Sequence, residues 1–453
     1  MKGIFDVPNG LNNNAPPAGG GGGLPPFDFA SRSWRDRSIA SKEHIPVGYT
    51  YFGQLIGHDL GNSTPLANAP FVRETGDDHD YGGDDWTRRR HNLIENPLTL
   101  ETIYGPGPMM LPHLYDPNTF LFRVKPGAII SQPYRAPGPH GRNIQSVRAL
   151  YDGRNRDTTI LHRLTVIWMK FHNKVALEIE PALGGSGTFD KATKLAAYAQ
   201  ARSHVLSIWH TLIRTEFLDI FCDPDVMNMT DQQMAAFDVV DEATLLHGVF
   251  RTFHALPRSE YRFTQRHRSL REFLLGRPDN DEKVSSSWKL DWRLFFHDLA
   301  NGVPADGTKT GLCASCSPDL MARGAPVLDL DVITAQTTDP LTLGSPEMTA
   351  LVAQLPAPWA AQLAPDDLAR RLSAAIGQPV AADALGNCPL FFVLMLEAQF
   401  HGQDGRFGPL GSVLLRRAIE TAMSRTVYRA PAPGLPIRSN PGSMLELIST
   451  TPI

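Results

Sequence analysis

Apolar residues recur at helical spacing through the middle of the chain. Leu161, Leu164, Ile167, Trp168, Phe171 and Val175 stand three or four positions apart, which lines them along one stripe of a helix with 3.6 residues per turn. A second stretch repeats the pattern with Ala197, Ala201, Val205, Ile208, Trp209, Leu212 and Ile213. These stripes predict two long helices whose apolar faces form core, and none of their residues is assigned to a ligand. Period-two alternation and internal repeats are both scarce, so little sheet is expected. The fold class read from this pattern is mainly α, with long loops.

Residues 1–30 are rich in Gly, Pro and Asn and include the run Gly19 to Gly23. Such a composition cannot nucleate a core, so a flexible arm is expected ahead of one folded domain, 31–453. Frequent Pro and Gly as far as about residue 145 predict loops with short helices. Residues 262–290 look like a polar, charged insert whose basic residues form a solvated face or loop. The 300–330 region also looks loop-like, and 354–366, with Pro356, Pro358 and Pro365, looks like a connector.

With 453 residues, 42% apolar and 20% charged, the chain can bury a large core. A net charge of −4 and a pI near 6.4 argue against a phosphate-backbone partner, so no nucleic-acid role is expected. The longest strong apolar run, Leu390 to Leu396, falls far short of the roughly 18 residues that span a bilayer. The N-terminal Met-Lys-Gly-Ile-Phe-Asp-Val-Pro has no apolar core of signal-peptide length. The expectation is a soluble monomer without a transmembrane segment, cytoplasmic or exported without a recognisable signal peptide. Of the four cysteines, Cys313 and Cys316 form a Cys-x-x-Cys, but a zinc site needs more ligands at suitable spacing. Together with Cys222 and Cys388 they read as free or incidentally bridged thiols.

Candidate chemistry starts at Ile45-Pro-Val-Gly-Tyr-Thr-Tyr-Phe-Gly-Gln-Leu-Ile-Gly-His-Asp59. Gln54 and His58 sit at i and i+4 and share a helix face, while Asp59 turns about 100° away. The pair could face one pocket and Asp59 a neighbouring site, such as a cation. A lone histidine on an apolar helix is more often a satisfied core or surface residue, so the weight falls on segments further along the chain.

Four such segments stand in order. Gly153-Arg-Asn-Arg-Asp157 precedes the run Leu161 to Glu180, which contains Trp168-Met-Lys-Phe-His-Asn173. Phe250-Arg-Thr-Phe-His-Ala-Leu-Pro-Arg-Ser-Glu-Tyr-Arg262 sets Arg251 and His254 three apart, again on one helix face. Asn96-Pro-Leu-Thr-Leu-Glu-Thr-Ile-Tyr-Gly105 with Leu114-Tyr-Asp116 lies between the Ile45–Asp59 and Gly153–Asp157 segments. Pro389-Leu-Phe-Phe-Val-Leu-Met-Leu-Glu-Ala-Gln399 with Gly408-Pro-Leu-Gly411 comes last. Together the five segments resemble the animal-type haem peroxidases, the superfamily of myeloperoxidase, cyclooxygenase and many bacterial relatives, with this chain similar to a bacterial-type member.

That resemblance implies a single large α-helical haem peroxidase domain and a role for each matched residue. His58 would be the distal base that takes a proton from the peroxide and returns it to the departing oxygen, a relay worth about 10²–10⁴-fold. Arg154 would stabilise charge on the leaving oxygen, a contribution of about 10²–10³. Gln54 would position water or an anion beside it. His254 would bind the haem iron and Arg251 a propionate. Hydrogen peroxide would thus generate a ferryl haem that oxidises small organic or halide donors.

Departures from the family pattern modify these expectations. Aligning Gly344-Ser-Pro346 with the family's Gly-Leu-Pro turn puts Gln336 in place of the asparagine that tunes the proximal histidine, and Asp339 in place of an arginine. Glutamine can offer the same carbonyl from one methylene further out. Of the positions used for covalent haem attachment in several relatives, Gly57 cannot form an ester, Asp157 is one methylene short of the usual glutamate, and Thr158 rules out a methionine linkage. Mainly noncovalent haem b is therefore expected. Family calcium would fall to Asp59 with Glu95, the Pro97 carbonyl, Thr99 and Glu101, where oxygen donors are plentiful but the residue types are shifted.

Two other readings come from different classes. A fatty-acid oxygenase acting on a lipid donor through a tyrosyl radical would need tyrosine where Arg251 stands, leaving only a lipid oxygenase or peroxygenase that uses the oxidised haem directly. A degenerate relative that binds haem weakly or acts as an interaction protein is motivated by Gln336 and Asp339.

Overall fold

The computed structural model describes residues 44–61, 63–65, 90–92, 94, 96–124, 135–137, 144–146, 150–156, 158–184, 190–238, 244–258, 260–263, 267–269, 290–296, 308–312, 320–322, 325–328, 341–427 and 429–451. Helices dominate them. The principal ones are α1 (Gly48–Leu60), α2 (Thr159–Ile179), α3 (Lys191–Leu212), α4 (Pro365–Ile376), α5 (Leu390–Phe400) and α6 (Pro409–Arg425). The strands form five two-stranded antiparallel ribbons, of which Ile45–Pro46 with Lys309–Thr310 anchors the start of α1. This is the mainly α architecture expected from the apolar spacing.

Both predicted stripes are buried. On α2, Leu161, Leu164, Phe171 and Val175 are sealed from solvent, and on α3 so are Ala201, Val205 and Trp209. The two helices pack along each other, and α1 lies across α2. The three meet at a knot of rings in which Trp209 stands edge-on to both Trp168 and Phe52, with centroids 5.1 and 5.3 Å apart. Edge-to-face pairs at such distances contribute about 0.5–1.5 kcal/mol beyond the area they bury. The second stripe continues past α3 into a π-helical turn, Ile213–Phe217, which sets Phe217 edge-on against Phe52.

Capping explains where the long helices begin. The Thr158 hydroxyl accepts from the Leu161 N–H at 3.1 Å, and the Asp190 carboxylate accepts from the Ala192 N–H at 3.0 Å, each satisfying a donor that has no partner within its helix. α1 has no side-chain cap; instead the Gly48 N–H donates to the Phe295 carbonyl at 2.8 Å. A Cβ at Gly48 would sit 2.6 Å from that oxygen, so only glycine permits the approach. α6 is capped from a distance: the carboxylate of Glu397, on α5, accepts from the Leu410 and Gly411 N–H groups at 2.7 and 3.0 Å.

Two loop expectations are corrected. Within 354–366, Ala357–Gln362 is helical and α4 begins at Pro365, because Pro358 and Pro365 occupy first-turn positions. There a missing N–H costs nothing and the fixed φ favours the helix, so these prolines start helices rather than break them. In the 300–330 region, Lys309–Thr310 is a strand, and Leu320–Ala322 pairs with Ala325–Leu328. The 1–30 arm, most of the 262–290 insert, Cys313 and Cys316 lie outside the described residues, whereas Cys222 and Cys388 are free and buried. Among the described residues no helix is long and apolar enough to cross a membrane.

Candidate active site

α1 carries Gln54 and His58 one turn apart, with Gln54 half-buried and His58 buried. Three elements close around its C-terminal half. α2 and the 3₁₀ turn Gly153–Arg156 pack on one flank, and the 3₁₀ helix Phe250–Ala255 packs directly against it. Close approach of that last element depends on α1 glycines: a Cβ at Gly57 would lie 2.9 Å from the Phe250 ring, and one at Gly53 would lie 3.2 Å from Phe253. The backbone carrying Arg251 and His254 is thus packed on the helix carrying His58.

The imidazole of His58 is held on one side and unpartnered on the other. Its Nδ1 is 2.9 Å from Asn155 Oδ1, while its Nε2 is buried without a hydrogen-bond partner among the described residues. Burial lowers its pKa to about 4, helped by the nearby Arg154 charge and opposed by Asp152 and by the bond to Asn155. At neutral pH the ring is therefore uncharged and can take up a proton.

Arg154 reaches α1, but its guanidinium is turned to the helix end. Nη1 donates to the Gly61 carbonyl at 2.7 Å and Nη2 to the His58 carbonyl at 3.0 Å, which places a cation at a helix C-terminus, where it is favourable. Nε and Nη2 also grip Asp152, with the closest contact at 2.6 Å. Burial raises the Asp152 carboxyl, but the hydrogen bonds and charge of Arg154 outweigh it and hold the group below the usual carboxylate range. Each nitrogen of the expected distal arginine thus has a protein partner, a pairing that residue spacing did not reveal.

Asp59 is fully buried, and its carboxylate is engaged by Leu100 and Thr102. It accepts from the Leu100 N–H at 2.7 Å and from the Thr102 N–H and hydroxyl, both at 3.4 Å. Burial pushes its pKa to about 7 against the pull of these donors. The loop it clasps is strained, since Leu98 and Leu100 both have left-handed backbone, with φ of 59° and 55°. The other expected calcium ligands are also engaged: the Pro97 carbonyl accepts from the Thr426 hydroxyl, the Thr99 hydroxyl donates to the Asn96 carbonyl, and Glu101 accepts from the Asn96 N–H. Thr99 and Glu101 line an open groove of about 650 Å³ with Tyr151, Arg202 and Arg429. Among the described residues no group of three or more His, Cys, Asp or Glu side chains could hold a metal ion, and Glu95 lies outside them.

Asp157, Gln336 and Asp339 also lie outside the described residues, as do the side chains of Arg251 and His254. The motifs at 96–116 and 389–411 are structural brackets. Tyr104 hydroxyl and His172 Nδ1 are 3.0 Å apart, Tyr115 donates to the Tyr104 carbonyl, and Asn173 holds Phe122 by both its N–H and its carbonyl. Glu397 joins the late motif's two halves. Asn155 was not anticipated; its only signal in the sequence was its place next to Arg154.

The chain has the fold of a helical peroxidase. It is similar to the solved structure of Peroxidase A from Dictyostelium discoideum, with a TM-score of 0.54 and 13% sequence identity, over 94% of this chain and 92% of that one. No protein-family model and no curated protein matches the sequence. Haem was expected from the sequence resemblance, and the described residues on its expected distal side offer a buried, neutral imidazole whose Nε2 has no partner among them, on a helix packed against the segment that carries a second histidine.

Proposed function

We propose that the chain is a haem-dependent peroxidase that uses hydrogen peroxide to oxidise small organic or halide donors, with residues 31–453 as its single catalytic domain and bacterial-type members of the superfamily as its kin. The observation that carries this reading is the buried, unpartnered Nε2 of His58. Burying such a nitrogen without a partner costs about 1–3 kcal/mol, which is understandable where a substrate supplies the partner.

Bound haem b would supply the redox chemistry, and His254 and Arg251 would be the residues that hold it, without a covalent link. The protein's own part is proton handling. Nε2 of neutral His58 accepts a proton from hydrogen peroxide and returns it to the departing oxygen, which leaves as water. Gln54, one turn earlier on the same face, orients that water. Arg154 acts through position: it ties the end of α1 to Asp152, and its positive charge adds to the burial that keeps His58 neutral.

A second reading, a haem-binding or interaction protein without turnover, is favoured by one observation, the capture of the Arg154 guanidinium by Asp152 and the α1 carbonyls. The visible absorption spectrum of haem-supplemented protein separates the two. The peroxidase reading expects a Soret band that shifts on adding hydrogen peroxide and is lost or altered in His254→Ala. A band that ignores peroxide supports the second reading, and no band at all sinks both haem roles.

A further inference from the structure

Asn155 is fully buried, and its amide has two neighbours of fixed character. On one side is His58 Nδ1 at 2.9 Å, and on the other the Thr102 carbonyl, which accepts from Asn155 Nδ2 at 3.3 Å. A carbonyl oxygen can only accept, so the NH₂ must face Thr102 and the amide oxygen must face the imidazole. Turning the amide over would set two acceptors against each other at Thr102, a cost too large for a buried site. An amide oxygen can only accept, so Nδ1 of His58 must carry the proton. Nε2, buried and without a partner, is then the nitrogen with the lone pair.

The chain extends one step further. Thr102 is held by the carboxylate of Asp59 through both its N–H and its hydroxyl. Asp59 is the neighbour of His58 in sequence, so the circuit His58, Asn155, Thr102, Asp59 closes on α1. Its links are 97, 53 and 43 residues apart in sequence, which is why no local motif announced it.

We propose that Asn155 is a positioning residue that holds His58 as its Nδ1–H tautomer, leaving Nε2 free to accept a proton, and that Asp59 serves this circuit by anchoring Thr102. The tautomer is a property of the folded chain itself. Its catalytic consequence rests on the peroxidase reading above, since a base that must take a proton at Nε2 is useless while that nitrogen already carries one. In the wrong tautomer His58 could donate to the peroxide but could not accept from it.

The test is nitrogen NMR of the full chain labelled with ¹⁵N-histidine, the His58 signals being identified by their loss in His58→Gln. The wild type should show a protonated Nδ1 and an unprotonated Nε2. Asn155→Ala should show mixed tautomers, and Asn155→Asp, which keeps an acceptor at the same place, should restore the Nδ1–H form. A wild-type Nε2–H tautomer overturns the proposal without reference to any variant, and so covers the case in which Asn155→Ala fails to fold. An unchanged Nδ1–H form in folded Asn155→Ala overturns it too.

In the haem-supplemented protein, Asn155→Ala should react with hydrogen peroxide about tenfold or more slowly, within the range that general-base catalysis spans. The donor KM should stay in place, and Asn155→Asp should recover most of the rate. If the tautomer responds as expected but wild type shows no Soret band, the peroxidase reading fails and the positioning role stands. If wild type reacts with peroxide while Asn155→Ala keeps both tautomer and rate, only the positioning role fails.

Discussion

Two buried acids far apart in the sequence do the same local work to different ends. Asp59 beside His58 and Glu397 on α5 are both sealed from water, both have a pKa raised by burial to about 7, and both accept backbone N–H groups. Glu397 commits its two oxygens to the first turn of the 17-residue α6, and a Cβ at Gly408 would lie 2.4 Å from its own Cγ. Its geometry is regular and its role is to begin a helix. Asp59 clasps a loop with two left-handed leucines and reaches His58 through Thr102 and Asn155. Burial and a raised pKa therefore do not by themselves mark a functional acid. What marks Asp59 is that its hydrogen bonds lead to a side chain with an unpartnered atom.

The comparison can be broken most forcefully at Glu397. Glu397→Ala strands two buried N–H donors at the start of α6 and should cost on the order of 3 kcal/mol or more. Chemical denaturation measures that loss, while the His58 tautomer should be unchanged. A shifted tautomer would mean that the two regions are not independent. Asp59→Ala has only one short bond to lose, so about 1–3 kcal/mol is expected from denaturation. Here the loosened loop should also release Thr102, so mixed His58 tautomers should appear alongside the destabilisation.

The smallest effects lie in pH dependence, where Glu397 and His58 act in opposite directions within one window. The folded pKa of Glu397 is about 7, above its ordinary 4.5. The native state therefore holds more protons between these values, and stability falls as pH rises through them. His58 is the reverse: its folded pKa of about 4 lies below its ordinary 6.5, so its contribution is complete above 6.5 and is lost as pH falls toward 4. Melting temperature followed from pH 4 to 8 should thus decline less on the alkaline side in Glu397→Gln and less on the acid side in His58→Gln. Parallel profiles for wild type and both variants would contradict these assignments.

Much of the scaffold was legible because a helix that buries one face must repeat apolar residues every three or four positions. That reading found the α2 and α3 stripes and the shared face of Gln54 and His58. It failed at Pro358 and Pro365, since proline punctuates both ends of helices and only the observed turn shows which. It brought Asp59 and the 97–101 loop together but not the N–H and hydroxyl donors that Asp59 meets, because carboxylate oxygens look alike in sequence whatever they accept from. Arg154 was placed in the right neighbourhood, but its pairing with Asp152 was missed.

The helices, their buried faces and the placing of a histidine on an apolar helix were all written into the amino-acid sequence, as consequences of local periodicity and side-chain volume. Which nitrogen of His58 is engaged, where the Arg154 guanidinium points and what Asp59 holds came from tertiary structure alone. Those outcomes depend on hydrogen bonds between residues brought together from far apart in the chain, with the exception of Asp152, whose grip on Arg154 spans two positions. A hydrogen bond needs a donor and an acceptor within about 3 Å and in line, and no spacing along the chain specifies that for partners tens of residues apart.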